Sequence, residues 1–89
     1  MHDNPETLIE FPCEFAIKAM GKNNQALQAE VISICKKHAP DLTEGAIKMR
    51  PSKGDKWLSI TITITATSKP QLDAIYMELS QSELVTMTL

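Results

Sequence analysis

The nine residues at positions 59–67 alternate strictly between two kinds of side chain. A serine and four threonines alternate with apolar residues, which are Ile60, Ile62, Ile64 and Ala66. Successive side chains of a β-strand point to opposite faces, and β-branched residues favour strands. The pattern therefore predicts a strand with one face in a core and the other on a polar surface, in a sheet that is covered on one side only.

The length and composition predict one small globular domain. The chain has 89 residues, of which 43% are hydrophobic and 22% charged, enough for a single core and too apolar for disorder. We expect a flexible tail over residues 1–10 and the domain over residues 11–89. No apolar run approaches the ~18 residues of a membrane span and no secretion signal is recognisable, so we expect a cytoplasmic protein.

Cys13 and Cys35 are far apart in the sequence and form no CxxC pair. In a cytoplasmic protein we expect two reduced, partly buried thiols. A disulfide or a metal site is the alternative.

The first half of the domain predicts a strand and then a helix. Residues 13–20 alternate with Phe15, Ile17 and Ala19 on one side, and Gly21 is expected to end this strand. Asn23 or Asn24 can cap the helix that begins at Gln25. The buried stripe of that helix recurs every three or four residues, at Leu27, Val31, Ile34, Cys35 and His38. The sequence Ala39-Pro40-Asp41 is expected to end it.

The second half predicts two strands, a helix and a last strand. A short strand over residues 46–50 has Ile47 and Met49 inward, and a turn over residues 51–56 leads into the long strand over residues 57–67. Ser68 caps a helix with Pro70 in its first turn, whose buried stripe is Leu72, Ile75, Tyr76 and Leu79.

The last strand is predicted over residues 84–89. Val85, Met87 and Leu89 are expected to point inward, and Thr86 and Thr88 outward.

The element order β-α-β-β-α-β predicts an α+β fold of the ferredoxin-like type. Two interleaved, right-handed βαβ units give a four-stranded antiparallel sheet in the order 4-1-3-2 with both helices on one face. The uncovered face should then carry threonines and a few cations, together with Trp57 beside the turn. A surface without stacked aromatic residues does not favour nucleic-acid binding.

The sequence predicts neither catalysis nor a metal or cofactor site. Of its two histidines, His2 lies in the predicted tail and His38 ends a helix, where the helix dipole accounts for it. No serine or cysteine has the spacing of a nucleophile with a histidine and a carboxylate.

Four cations cluster around the second and third strands, at Lys48, Arg50, Lys53 and Lys56. One interpretation is a solvated hairpin whose charges discourage pairing at the sheet edge. The functional interpretation is a docking patch, including Trp57, for an acidic partner or a small anion. RNA binding by the open face is a weaker third interpretation.

Short motifs throughout the chain resemble the YbeD-like family of small bacterial proteins of unknown function. They are Leu8-Ile9-Glu10-Phe11-Pro12, Lys18-Ala19-Met20-Gly21, His38-Ala39-Pro40, Arg50-Pro51-Ser52-Lys53-Gly54, Ser59-Ile60-Thr61-Ile62 and Tyr76-Met77-Glu78-Leu79. The resemblance implies a ferredoxin-like fold similar to ACT regulatory domains, which bind small effectors such as amino acids. It implies no established activity.

Mapped by position, the ACT-like ligand site corresponds to the loop after the first strand. The residues expected to bind a ligand there are Gly21, Lys22, Asn23 and Asn24. The alternative is that Gly21 only separates a strand from a helix.

The leading functional prediction is a non-enzymatic regulatory or small-molecule-binding module of the ACT-like type. The alternatives are a protein-interaction adaptor that docks through the basic hairpin at positions 48–56, and weak RNA binding. The expected partner is an unidentified protein or a small carboxylate or amino-acid effector, with no membrane involved. A homodimer is also compatible with the sequence.

Overall fold

The computed structural model describes residues 10–89, and the predicted tail therefore lies almost entirely outside the described residues. Two short 3₁₀ turns, Glu44–Ala46 and Lys53–Asp55, flank the second strand. The strands are β1 (Cys13–Lys22), β2 (Ile47–Pro51), β3 (Trp57–Ala66) and β4 (Met87–Thr88), and the helices are α1 (Gln25–His38) and α2 (Lys69–Gln81).

The four strands form one antiparallel sheet in the order β2-β3-β1-β4. This is the predicted order 4-1-3-2 counted from the other edge, and the α+β prediction is confirmed. Across residues 10–89, neither helix has the length and apolar character needed to cross a bilayer.

The central pair of strands, β1 and β3, provides the floor of the core. Ile17 lies opposite Ile62 and Ala19 opposite Ile60, and all four side chains are buried. The alternate residues of β3, Thr61 among them, point to the other face and are partly exposed. The alternation in the sequence thus predicted the buried face of β3 correctly.

Both helices begin at the predicted caps and cover the isoleucine face. The Asn24 Oδ1 atom accepts a hydrogen bond from the Leu27 N–H at 2.7 Å, and the Ser68 Oγ atom accepts one from the Gln71 N–H at 3.2 Å. These caps satisfy N–H groups that have no partner within a helix. The stripes buried against the sheet are Leu27, Val31, Ile34 and Cys35 in α1 and Leu72, Ile75 and Leu79 in α2.

Both cysteines are free thiols, as expected for the reduced state. Burial raises the pKa of the Cys35 thiol to about 11. The thiol therefore stays protonated at neutral pH and acts as a small apolar side chain of α1.

The first strand is longer than predicted. Gly21 does not end it but lies inside β1 opposite Leu58, and the strand runs on to Lys22. A Cβ atom on Gly21 would lie 2.3 Å from the carbonyl oxygen of Leu84. The glycine thus lets the segment before β4 pass close against β1.

The fourth strand is shorter than predicted, and its faces are the reverse of the prediction, whereas Val85 before it packs against the core as predicted. Met87 lies opposite Met20, whose side chain is on the open face, whereas Thr88 lies opposite the buried Ala19. Leu89 continues the pairing through two hydrogen bonds with the Lys18 backbone, of 2.8 and 3.2 Å. Met87 and Leu89 are therefore 52% and 66% exposed instead of facing the core.

A turn before the strand explains this reversal. The Val85 N–H donates to the Ser82 carbonyl at 3.3 Å, and the Leu84 N–H donates to the Ser82 Oγ at 3.2 Å. Residues that were expected to extend β4 thus close a turn, and the chain enters the sheet one residue out of the predicted phase. Because side chains alternate along a strand, a shift of one residue exchanges the two faces.

The edge strand β2 also departs from the prediction. Met49 lies opposite Ile60 on the inner face, yet it is 39% exposed. Ala46 belongs to the preceding 3₁₀ turn, and Pro51 joins the strand. An inner-face residue at a sheet edge stays accessible where the helical layer does not reach over it.

We expect Gly21→Ala to destabilise the fold, because its methyl group would meet the Leu84 backbone. Overpacking of this kind costs about 1–3 kcal/mol, which lowers the melting temperature by about 4–8 °C per kcal/mol in a domain of this size. Thermal unfolding followed by circular dichroism measures it. The matched control is Gly45→Ala, since a Cβ atom there meets nothing within 4 Å, and an equal loss in both variants would contradict the explanation.

Candidate functional site

The connection between β1 and α1 is fixed by hydrogen bonds to the β2–β3 hairpin. The Asn23 N–H donates to the Lys56 carbonyl at 3.0 Å, and Asn23 Nδ2 donates to the Asp55 carbonyl at 3.1 Å. Asp55 takes a positive φ of 59°, next to Gly54 at 83°, so the tight hairpin presents its carbonyl groups to this loop. The loop predicted to bind a ligand thus has a defined shape held by its own contacts.

A cleft of about 210 Å³ opens beside this loop. Of the residues that the sequence suggested for ligand binding, Lys22 and Asn24 line it, whereas Gly21 and Asn23 do not. Its lining residues are Lys22, Asn24, Trp57, Glu83, Leu84 and Thr86.

Half of the cleft comes from the segment between α2 and β4, which the sequence did not suggest as part of a site. Glu83, Leu84 and Thr86 lie far from the first loop in sequence and reach it because the Thr86 N–H donates to the Met20 carbonyl at 2.7 Å. The only sequence signal for this proximity was the predicted pairing of the last strand with the first.

The cleft is lined by two opposite charges and an aromatic ring. Lys22 offers an ammonium group and Glu83 a carboxylate, and both residues are exposed. Neither forms an ion pair with another residue in positions 10–89. The volume is below the roughly 300–1,000 Å³ of pockets for drug-sized ligands, so the cleft suits a molecule with few heavy atoms.

A second concave surface lies on the open face of the sheet, at the end where the β2–β3 hairpin closes. We call it the methionine groove. It measures about 180 Å³, and almost all of its exposed lining is apolar. Its lining residues are Met20, Arg50, Pro51, Ser52, Trp57, Leu58 and Ser59.

Of the residues predicted to dock a partner, Arg50 and Trp57 line this groove. Arg50 lies opposite Ser59 and Lys48 opposite Thr61, which places both on the open face. Lys53 and Lys56 belong to the connection between β2 and β3. Trp57, which the sequence predicted beside the turn, lines both the groove and the cleft.

The cluster around His38 joins the two helices. Glu78 in α2 contacts Lys37 Nζ at 2.6 Å and His38 Nε2 at 2.5 Å, both at the end of α1. Gln71 in α2 adds a further link, because its amide nitrogen Nε2 donates to the His38 carbonyl at 2.7 Å. These contacts give His38 a structural role in the helical layer, in addition to the dipole effect expected from sequence.

Among residues 10–89, no group of three or more histidine, cysteine, aspartate or glutamate residues is placed to hold a metal ion. The cleft and the methionine groove both include residues that the sequence predicted to bind a ligand or to dock a partner.

The family described as protein of unknown function (DUF493) matches residues 6–89. The UPF0250 protein NE1487 of Nitrosomonas europaea is 46% identical over 94% of this chain and 97% of its own length. A UPF0250 protein of Chromobacterium violaceum is 39% identical over the whole of both chains.

Among solved structures, the uncharacterized protein TM1266 from Thermotoga maritima superposes with a TM-score of 0.63. The match covers 85% of this chain and 92% of that one at 13% sequence identity. A likeness at this identity supports the fold alone.

We expect Glu78→Gln to lower the melting temperature slightly at pH 7. The hydrogen bond from Lys37, followed by that from His38, holds the pKa of Glu78 below its ordinary 4.5. A carboxylate with a lowered folded-state pKa stabilises the fold above its unfolded pKa, and this contribution is lost as the pH falls through the folded-state pKa. The difference between variant and wild type should therefore shrink below about pH 4.5.

Melting curves at pH 7 and at acidic pH measure this effect. Glu44→Gln is the control, because Glu44 is exposed in a 3₁₀ turn and forms no ion pair in the described chain. A difference between Glu78→Gln and wild type that is the same at every pH would contradict the assignment.

Proposed function

We infer the role of this chain from its own surfaces, because it belongs to the DUF493 family of proteins of unknown function, as the YbeD-like resemblance indicated. We propose that it is a cytoplasmic, non-enzymatic regulatory module of the ACT-like type. Its effector is a small zwitterion such as an amino acid, and the binding site is the cleft beside the first loop.

The observation that carries this proposal is the pairing of opposite charges on one small cleft. Lys22 is placed to attract a carboxylate and Glu83 to attract an ammonium group. Each is an exposed charge without an ion-pair partner in residues 10–89, so binding an effector breaks no existing pair. Charge-assisted hydrogen bonds of this kind are stronger than neutral ones.

The position of Trp57 supports a regulatory role. Its indole lines the cleft and also the methionine groove, so an effector in the cleft contacts a residue that shapes the second surface. An effector regulates only if it binds two states of the protein unequally. We infer that the two states differ in the orientation of the exposed Trp57 side chain.

We expect at least one free amino acid to raise the melting temperature in a screen of amino acids, the matching hydroxy acids and the matching amines. At a free concentration of about 100 Kd the stabilisation is about 2.7 kcal/mol, or about 10–20 °C for a domain of this size. The chain has a single tryptophan, which lines both the cleft and the methionine groove, so a change in its emission that Glu83→Gln diminishes reports binding at the cleft.

Two variants test the assigned roles of the charges. Lys22→Gln should weaken binding of the amino acid and of its hydroxy acid, whereas Glu83→Gln should weaken only the amino acid and so reduce the preference for it. Lys36→Gln on the exposed side of α1 is the matched control. No ligand at millimolar concentration, or a ligand whose affinity is indifferent to both variants, would refute the proposal.

A further inference from the structure

We propose that the methionine groove and the cations around it bind an acidic amphipathic helix of a partner protein. This inference concerns a different surface from the effector cleft and does not depend on an effector being found. It follows from the apolar surface at one end of the open face, from the charge around that surface and from the width of the sheet.

The apolar surface is continuous across three strands. Met87 in β4 lies opposite Met20 in β1, and Met20 lines the groove together with Trp57 from β3. Leu89 pairs with Lys18 through the backbone and extends the apolar surface along the β4 edge. Met87, Leu89 and Trp57 are 52%, 66% and 41% exposed. Large apolar side chains that are exposed together normally mark an interaction site.

Methionine and tryptophan give this surface the character of a protein interface. Flexible methionine side chains adapt to differently shaped partners, and tryptophan, methionine and arginine are enriched in interface cores. Arg50 lines the groove with Pro51, so its aliphatic stem can pack while its guanidinium group reaches an acidic side chain.

The charge around the groove selects the partner. Six of the nine basic residues lie on the open face or in the adjoining hairpin connection, although the net charge of the chain is −2. None of the six forms an ion pair within residues 10–89. Fewer acidic residues lie near them: Glu83 shares the cleft with Lys22, Asp55 lies in the hairpin and Glu14 lies at the far end of β1. The six basic residues are Lys18, Lys22, Lys48, Arg50, Lys53 and Lys56.

The same charges disfavour the other occupants of this face. Two copies packed open face to open face would bring these cations against each other, which costs free energy. Single-stranded RNA needs several aromatic platforms, but of the four aromatic residues in the chain only Trp57 lines the groove. A partner with acidic and apolar side chains satisfies both components of the surface.

The width of the sheet favours a helix. Four strands separate the outer strand axes by about 14 Å, and a helix with its side chains is about 10 Å across. The opposite face of this sheet already packs against helices. A helix with an apolar stripe and acidic flanks can lie on the open face with its apolar side chains in the methionine groove.

The test uses a synthetic helical peptide with leucines at positions i, i+3, i+4 and i+7 and glutamates on both flanks. Its twin carries lysine in place of every glutamate. In ¹⁵N spectra of the full chain, we expect the acidic peptide to shift the amides of Met20, Trp57, Ser59 and Met87, with the twin producing no saturable shift.

Matched substitutions on the open face and on the helices test which surface binds the acidic peptide. Met87→Glu and Arg50→Glu should each weaken the acidic peptide by about tenfold or more. The controls are Met77→Glu, at a methionine that is 61% exposed on α2, and Lys36→Glu on α1. Both controls should bind like the wild type, and circular dichroism verifies that all four variants are folded.

Several results would overturn the inference. They are no saturable binding of the acidic peptide, equal binding of the lysine twin, or shifts confined to the helical layer. Sedimentation of a dimer that Met87→Glu returns to monomer would assign the face to a second copy instead. Retention of single-stranded RNA that Arg50→Glu abolishes would assign it to nucleic acid.

The two proposals fail separately. Glu83→Gln, which impairs effector binding if the cleft is the effector site, leaves the acidic peptide bound because it removes no cation or apolar group from the open face. Met87→Glu weakens the acidic peptide and leaves effector binding unchanged, since Met87 does not line the cleft.

Discussion

The pairing of β1 with β3 is the constraint on which the rest of the structure depends. These two strands run antiparallel over ten residue pairs, from Cys13 opposite Ala66 to Lys22 opposite Trp57. A slip of one residue would turn Ile60, Ile62 and Ile64 to solvent. Because burial of each isoleucine stabilises a fold by about 1.5–3 kcal/mol, such a slip is strongly disfavoured. The register then decides which side chains can form a functional surface, since everything out of phase with the isoleucines lies on the open face.

The sequence was sufficient for the elements whose patterns are strong and local. The alternation in β3, the buried apolar residues of both helices and the caps Asn24 and Ser68 need no knowledge of distant residues and were predicted correctly. His38 and Tyr76, which were also assigned to the buried stripes, are only half-buried. Gly21 was misplaced for the opposite reason. A glycine between a strand and a helix looks like a terminator, but this one is required by the Leu84 carbonyl from far along the chain, and no local pattern reports that approach.

The last strand shows why the functional surface was harder to predict than the fold. In the sequence of residues 85–89, valine, methionine and leucine alternate with threonines, which suggests that the apolar set faces the core. The turn closed by Ser82 fixes the phase instead, and it places Met87 and Leu89 on the face that the pattern assigned to threonines. The open face, which the sequence predicted to be polar, is therefore partly apolar at one end. Glu83 was missed likewise, because its place at the cleft depends on how this segment crosses the end of β1.

The distribution of charge gives the molecule two functionally different sides. Cations concentrate on the open face and in the hairpin, whereas the three carboxylates of the two helices, Glu30, Asp73 and Glu78, are balanced there by three lysines. A net charge of −2 therefore hides a local excess of cations that draws an acidic partner to the open face. Trp57 lies at the border between the cationic open face and the cleft that contains Glu83. In the two proposals made above, this one side chain is the contact through which an effector in the cleft would alter what the open face binds.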